Sequence, residues 1–102
     1  MESEEEFAQI VTGSSIPVFV QFSADWCMPC QAIKGNLDEF AETYKNRMEF
    51  LYLDADLFGE SLFTEYEIEY LPSFKVFKEG KVVGTESGTK PERIKLFIES
   101  NL

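Results

Sequence analysis

Two kinds of hydrophobic spacing alternate along the chain. Phe7, Ile10 and Val11 recur at helical spacing behind Ser3-Glu4-Glu5-Glu6, a capping-box pattern with Glu6 three residues after the serine. Thr12-Gly13-Ser14-Ser15 ends this short helix with turn chemistry. Val18 to Ser23 is almost continuously apolar, as a central strand covered on both faces would be. Ile33, Leu37, Phe40, Ala41 and Tyr44 then line one face of a long helix. Gly35 interrupts it at a cost of about 1 kcal/mol against alanine. Phe50-Leu51-Tyr52-Leu53 predicts a second strand, closed by Asp54-Ala55-Asp56. Phe58, Leu62 and Tyr66 predict a third helix. Ser73 to Lys78 and Lys81 to Glu86 read as two strands joined at Glu79-Gly80, a hairpin signal. Thr89-Lys90-Pro91-Glu92 is a second capping box with a proline inside the first turn, and Ile94, Phe97 and Ile98 turn the last helix toward the sheet.

The order is βαβ followed by ββα, with an extra helix at the N-terminus. Strand, helix, strand implies a right-handed parallel crossover, and the hairpin adds antiparallel strands. The expected fold class is therefore α/β, a mixed central β-sheet flanked by helices on both faces. No linker, repeat or low-complexity stretch divides the 102 residues, so 1–102 reads as a single domain. With 44% hydrophobic residues, ten of them Phe, the chain can fill a core without staples. No apolar run reaches membrane-spanning length, and the acidic start Met1-Glu2-Ser3-Glu4-Glu5-Glu6 is unlike a signal peptide. Both point to a reducing, cytoplasmic compartment. The net charge of −10 argues against nucleic acid and anionic membrane as partners.

The chemistry concentrates in Asp25-Trp26-Cys27-Met28-Pro29-Cys30, where the only two cysteines meet at Cys-x-x-Cys spacing. The pair falls at a strand-to-helix junction. Free N–H groups and the positive end of the helix dipole there favour a thiolate, which would make Cys27 a nucleophile near neutral pH. Two intervening residues let Cys30 reach back and close a small ring. Three readings compete for such a pair. A zinc site needs four ligands, and the chain has no His and no second cysteine pair. A structural disulfide over so short a loop stabilises little. A dithiol–disulfide redox centre asks for the pair at a helix mouth with an early proline, and both features are present.

Phe22-Ser23-Ala24-Asp25-Trp26-Cys27-Met28-Pro29-Cys30 resembles the active-site stretch of the thioredoxin family, usually Trp-Cys-Gly-Pro-Cys. Tyr70-Leu71-Pro72-Ser73-Phe74 resembles that family's cis-proline segment. Lys78-Glu79-Gly80, Val82 and Gly88 resemble its hairpin and the glycine after it. The likeness runs in register from about Pro17 to the C-terminus. It implies the thioredoxin fold and a thiol–disulfide oxidoreductase that reduces protein disulfides, in electron transport and cell redox homeostasis. Cys27 would be the nucleophile and Cys30 the resolving thiol. Trp26, Met28, Pro29, Leu71, Pro72 and Gly88 would form the substrate groove. There the Leu71 backbone would pair with an extended substrate chain, Leu71–Pro72 would be cis, and Gly88 would leave room for the substrate. The partners implied are disulfide-containing target proteins and a thioredoxin-reductase-type flavoenzyme, with no bound cofactor, no metal, and a monomer as the working unit.

Two departures from the family pattern modulate this picture. Gln21 occupies the strand position where the family keeps a buried Asp that assists proton transfer to and from the resolving thiol. An amide cannot act as a general base, no His is present to replace it, and the proton is left to water or Asp25. Gln21 is expected in the core behind Cys30. Met28 stands where glycine is usual and adds an adaptable apolar surface. Isomerase- and oxidase-like variants carry His between the cysteines, unlike this chain. A thioredoxin-like protein-binding module with weak or vestigial redox activity is the alternative from another class, and the missing acid is its best support.

Overall fold

In the computed structural model, which describes residues 3–102, β1 (Val18–Ser23) lies inside a four-stranded sheet of order β2-β1-β3-β4. It runs parallel to β2 (Glu49–Asp54) and antiparallel to β3 (Ser73–Lys78), and β3 pairs antiparallel with β4 (Lys81–Ser87). Alternation along β1 divides the core into two layers. Val18, Val20 and Phe22 point to one face with Leu53 and Phe77. That face is covered by Phe7 and Val11 of α1 (Glu4–Gly13), Phe58 of α3 (Ala55–Phe58), and Leu62 and Phe63 of α4 (Leu62–Glu65). Phe19 points to the other face with Phe74 and Val76. Ile33, Leu37 and Tyr44 of α2 (Met28–Tyr44) and Ile94 and Ile98 of α5 (Pro91–Ser100) cover it. The thioredoxin fold is thus present, a mixed sheet with helices on both faces.

Local chemistry accounts for most boundaries. Ser3 Oγ accepts the Glu6 N–H at 3.1 Å and caps α1. The β3–β4 turn holds Glu79 at φ 54° and Gly80 at φ 79°, the pair of left-handed residues that a tight two-residue hairpin demands. Gly80 also donates its N–H to the Val11 carbonyl at 2.9 Å, tying the hairpin to the end of α1. A side chain there would run into Thr12 Cγ2 at 2.8 Å. α2 is continuous through Gly35.

Four expectations are corrected. The third helix is two single turns, α3 and α4, because Ser61 adopts φ −116°, ψ −90° and breaks the spiral after Gly59. Helices this short do not hold themselves. Burial of Phe58, Leu62 and Phe63, about 1.5–3 kcal/mol per side chain, holds them instead. The capping box at Thr89 does not form: a residue before proline is pushed out of the helical region, so Lys90 is extended and becomes a cap without a side-chain bond. β4 runs one residue further, to Ser87. β1 is not covered throughout, since Gln21 is only half-buried while its five strand neighbours are buried. The acidic opening Met1-Glu2 lies outside the described residues. No helix among those residues is long and apolar enough to cross a membrane.

Candidate active site

β1 ends at Ser23, and α2 begins after a loop of four residues. Buried Ala24 accepts the Cys27 N–H at 3.2 Å, so the loop between them is a tight turn that lifts Asp25 and Trp26 to the surface. Gln31 holds the turn in place by donating from Nε2 to the Asp25 carbonyl at 2.9 Å. Cys27 is the N-cap of α2. Its Sγ accepts the Cys30 N–H at 3.3 Å, the contact a side-chain oxygen makes at an ordinary cap, and Pro29 occupies the first turn at no hydrogen-bond cost. That N–H is placed to stabilise a Cys27 thiolate when the sulfur is free.

Cys27 and Cys30 are joined as a disulfide, their Cα atoms 5.2 Å apart. They are 7% and 2% exposed and form a small cluster with Ala24, packed by Ala55 and Leu71. The two sulfurs are not equivalent. Cys27 lies beside the most open apolar surface of the site, Trp26 at 65% and Met28 at 80% exposed, with Pro29 also at the surface. Trp26 is anchored by an Nε1–H bond to Asp56 Oδ1 at 3.0 Å.

The Leu71–Pro72 bond is cis, as the resemblance implied. Leu71 packs on the cysteine cluster, and among the described residues no loop hydrogen bond uses its backbone N–H or carbonyl. Pro72 is buried, so it shapes the segment and offers no open surface of its own. Its carbonyl accepts the Gly88 N–H at 3.2 Å. Gly88, at φ 98° with open space where a side chain would be, closes this end of the site.

Behind Cys30 a cavity of about 530 Å³ opens between α2 and the β2 edge. Gln21 and Ser23 of β1, Asp25, Gln31, Lys34, Asp38 and Tyr52 line it with Cys30. Gln21 is therefore a wall of an open chamber where a sealed core was expected. Tyr52 is the register partner of Gln21 across the β1–β2 pair, and its hydroxyl donates to Asp25 Oδ1 at 3.0 Å. Partial burial pushes the Tyr52 phenol up; the Ser23 hydrogen bond lowers it, and the bond to Asp25 raises it further. Among the described residues, no group of three or more Cys, Asp or Glu is arranged to hold a metal ion. Sequence reasoning missed Tyr52, Asp56 and Gln31. The first two meet the redox loop from 27 and 30 residues away, and no local pattern marks such contacts.

Comparison with known proteins agrees with this geometry. The thioredoxin family profile matches residues 1–100. The chain is 37% identical over 90 residues to the M-type chloroplastic thioredoxin of Chlamydomonas reinhardtii, covering 88% of this chain and 64% of that protein. Thioredoxin C-2 of Corynebacterium nephridii is 32% identical over 101 residues, 98% of this chain and 93% of that one. The chain thus spans nearly all of the bacterial relative but less than two thirds of the algal one. Among solved structures, a thioredoxin of Plasmodium falciparum superposes with a TM-score of 0.92 at 33% identity, over 100% of this chain and 97% of its own. The chain belongs to the thioredoxin family.

Proposed function

We propose that this chain, acting as a single domain, is a protein-disulfide reductase working by dithiol–disulfide exchange. The observation that carries the reading is the asymmetric Cys27–Cys30 disulfide at the mouth of α2. One sulfur lies beside an open apolar surface, the other against an inner cavity. In the reduced protein the Cys27 thiolate attacks a target disulfide. A bond forms from Cys27 to one target sulfur, and the other target sulfur leaves as a thiolate. Cys30 then attacks Cys27 Sγ, forms the internal disulfide and releases the second target thiol. The target gains two electrons and the pair loses two. Trp26, Met28 and Pro29 supply the apolar contact surface, and the free backbone of Leu71 takes an extended target segment by strand-like pairing. Gly88 keeps the approach clear. A thioredoxin-reductase-type flavoenzyme returns the disulfide to the dithiol in a cytoplasmic setting, with the protein a monomer and electron transport and redox homeostasis its role. No bound cofactor takes part in these steps.

Insulin reduction driven by dithiothreitol or a flavoenzyme reductase tests the reading. Cys27→Ser should fall to the uncatalysed background, because the attacking sulfur is gone. Cys30→Ser should accumulate a mixed disulfide with its target, visible as a mass adduct on Cys27. A trapped adduct in Cys27→Ser and none in Cys30→Ser would reverse the two roles. A binding module with idle cysteines would leave insulin unreduced in the parent protein as well.

A further inference from the structure

Resolution of the mixed disulfide requires Cys30 to lose a proton, and the strand position behind it carries an amide that cannot accept one. The geometry points to Asp25 as the group that takes this proton, through the cavity it shares with Cys30. The inference rests on the exchange mechanism proposed above.

Three observations converge on Asp25. First, Asp25 and Cys30 line the same cavity, whose volume of about 530 Å³ is room for several water molecules at ~30 Å³ each. Second, the carboxylate is oriented: the Tyr52 hydroxyl holds Oδ1 at 3.0 Å, and among the described residues no hydrogen bond engages Oδ2. Third, the backbone of Asp25 is fixed to the start of α2 by Gln31, the residue next to Cys30. A base placed on a held loop and lining the same water-sized cavity as its acid suits general-base catalysis.

The other charged groups at the cavity are less suited. Lys34 is a cation one helical turn beyond Cys30 and cannot accept a proton while charged. Asp38 is two turns along α2, about 12 Å of helix rise from Cys30, with Lys34 between them. The Asp56 carboxylate is engaged by the Trp26 indole and does not line the chamber. Asp54 spends its Oδ1 on the Asp56 N–H and lies outside the chamber as well. From β2, Tyr52 is a donor to Asp25 and faces it directly.

The step balances as follows. The Cys30 thiol passes its proton through water to Asp25 as its sulfur bonds to Cys27 Sγ. The Cys27–target bond breaks, and the target leaves as a thiolate. Asp25 then releases the proton to solvent or returns it to the departing thiolate. No electrons are exchanged beyond those of the disulfide transfer.

Stopped-flow reaction of the reduced protein with a limiting aromatic disulfide, 5,5′-dithiobis(2-nitrobenzoate), separates the events. The first release of coloured thiolate reports attack by Cys27 and the second reports resolution by Cys30. Asp25→Asn should leave the first phase near the parent rate and slow the second by about tenfold near neutral pH, a part of the 10²–10⁴ that a fully used general base supplies. The gap should close at alkaline pH, where the Cys30 thiol ionises without help. Asp25→Glu should recover most of the second-phase rate, and Tyr52→Phe should lose a smaller part of it. An unchanged second phase in Asp25→Asn, or a deficit that stays constant with pH, overturns the proposal. So does a second phase slowed by Asp38→Asn and untouched by Asp25→Asn. If the parent shows no second phase at all, the exchange reading fails and this assignment with it. Unfolding curves of each variant separate a lost proton acceptor from a lost fold.

Discussion

Gln21 and Tyr52 face each other across the β1–β2 pair, and together they make the inner wall behind Cys30. A carboxylate at position 21 would stand in the same chamber, half-buried and in reach of water, so its desolvation cost would be well below that of a sealed carboxyl. Gln21→Asp should accelerate resolution near neutral pH by up to about tenfold, because a water route through the cavity already recovers part of the 10²–10⁴ available to a general base. It should also restore the second phase in an Asp25→Asn background. Equal rates in parent and Gln21→Asp across neutral and mildly alkaline pH would show that proton removal from Cys30 does not limit turnover. At this scale the two cysteines, Trp26 and Met28 were legible because their chemistry is carried by neighbours in sequence. The role of Asp25 was legible only as one exit for a proton. What singles it out is the Tyr52 hydroxyl, brought in from a different strand.

Elements divide in the same way. β1 and β3 were read to the residue, and the Glu79-Gly80 turn was legible because a two-residue gap ending in glycine between two strand patterns marks a hairpin. The split of α3 from α4 was not legible. The spacing of Phe58, Leu62 and Tyr66 fits one helix, and the break at Ser61 is a tertiary choice that seats Phe63 beside Leu62 in the core. α2 offers the cleanest test of a purely local term. Gly35 sits in its exposed interior, where an added Cβ would meet nothing within 4 Å. Gly35→Ala should therefore stabilise the protein by about 1 kcal/mol, from helix propensity and a less mobile unfolded chain. For a domain of this size that is a rise of roughly 4–8 °C in Tm, measurable by calorimetry. An unchanged or lower Tm would mean that α2 uses the glycine in a way its open surroundings do not reveal.

Three tyrosines join the parts of the molecule, and each is held in its protonated form. Tyr44 of α2 donates to Glu99 Oε2 of α5 at 2.8 Å; that hydrogen bond is the main reason its phenol is pushed up, with burial second. Tyr66 follows α4 and sets its ring against Phe7, Phe22 and Phe77, so burial raises it first and the neighbouring Glu65 next. Tyr52 joins β2 to the redox loop and is raised chiefly by burial. In the unfolded chain all three return to the ordinary phenol value near 10. The sign follows from linkage. Above that value the unfolded state has released protons that the folded state still binds, so ΔG of unfolding falls as pH rises. The contribution is complete below about pH 10 and is lost as pH climbs through the raised folded values. Denaturant unfolding followed from neutral to strongly alkaline pH should show stability level up to the phenol range and declining beyond it. Phenolate absorbance should appear together with the loss of structure. Tyr44→Phe should flatten part of that decline, since it removes one linked proton along with the bond between α2 and α5. A decline of undiminished slope in Tyr44→Phe would assign the alkaline loss to the other two phenols, and a flat profile through the phenol range would mean that none of the three couples to folding.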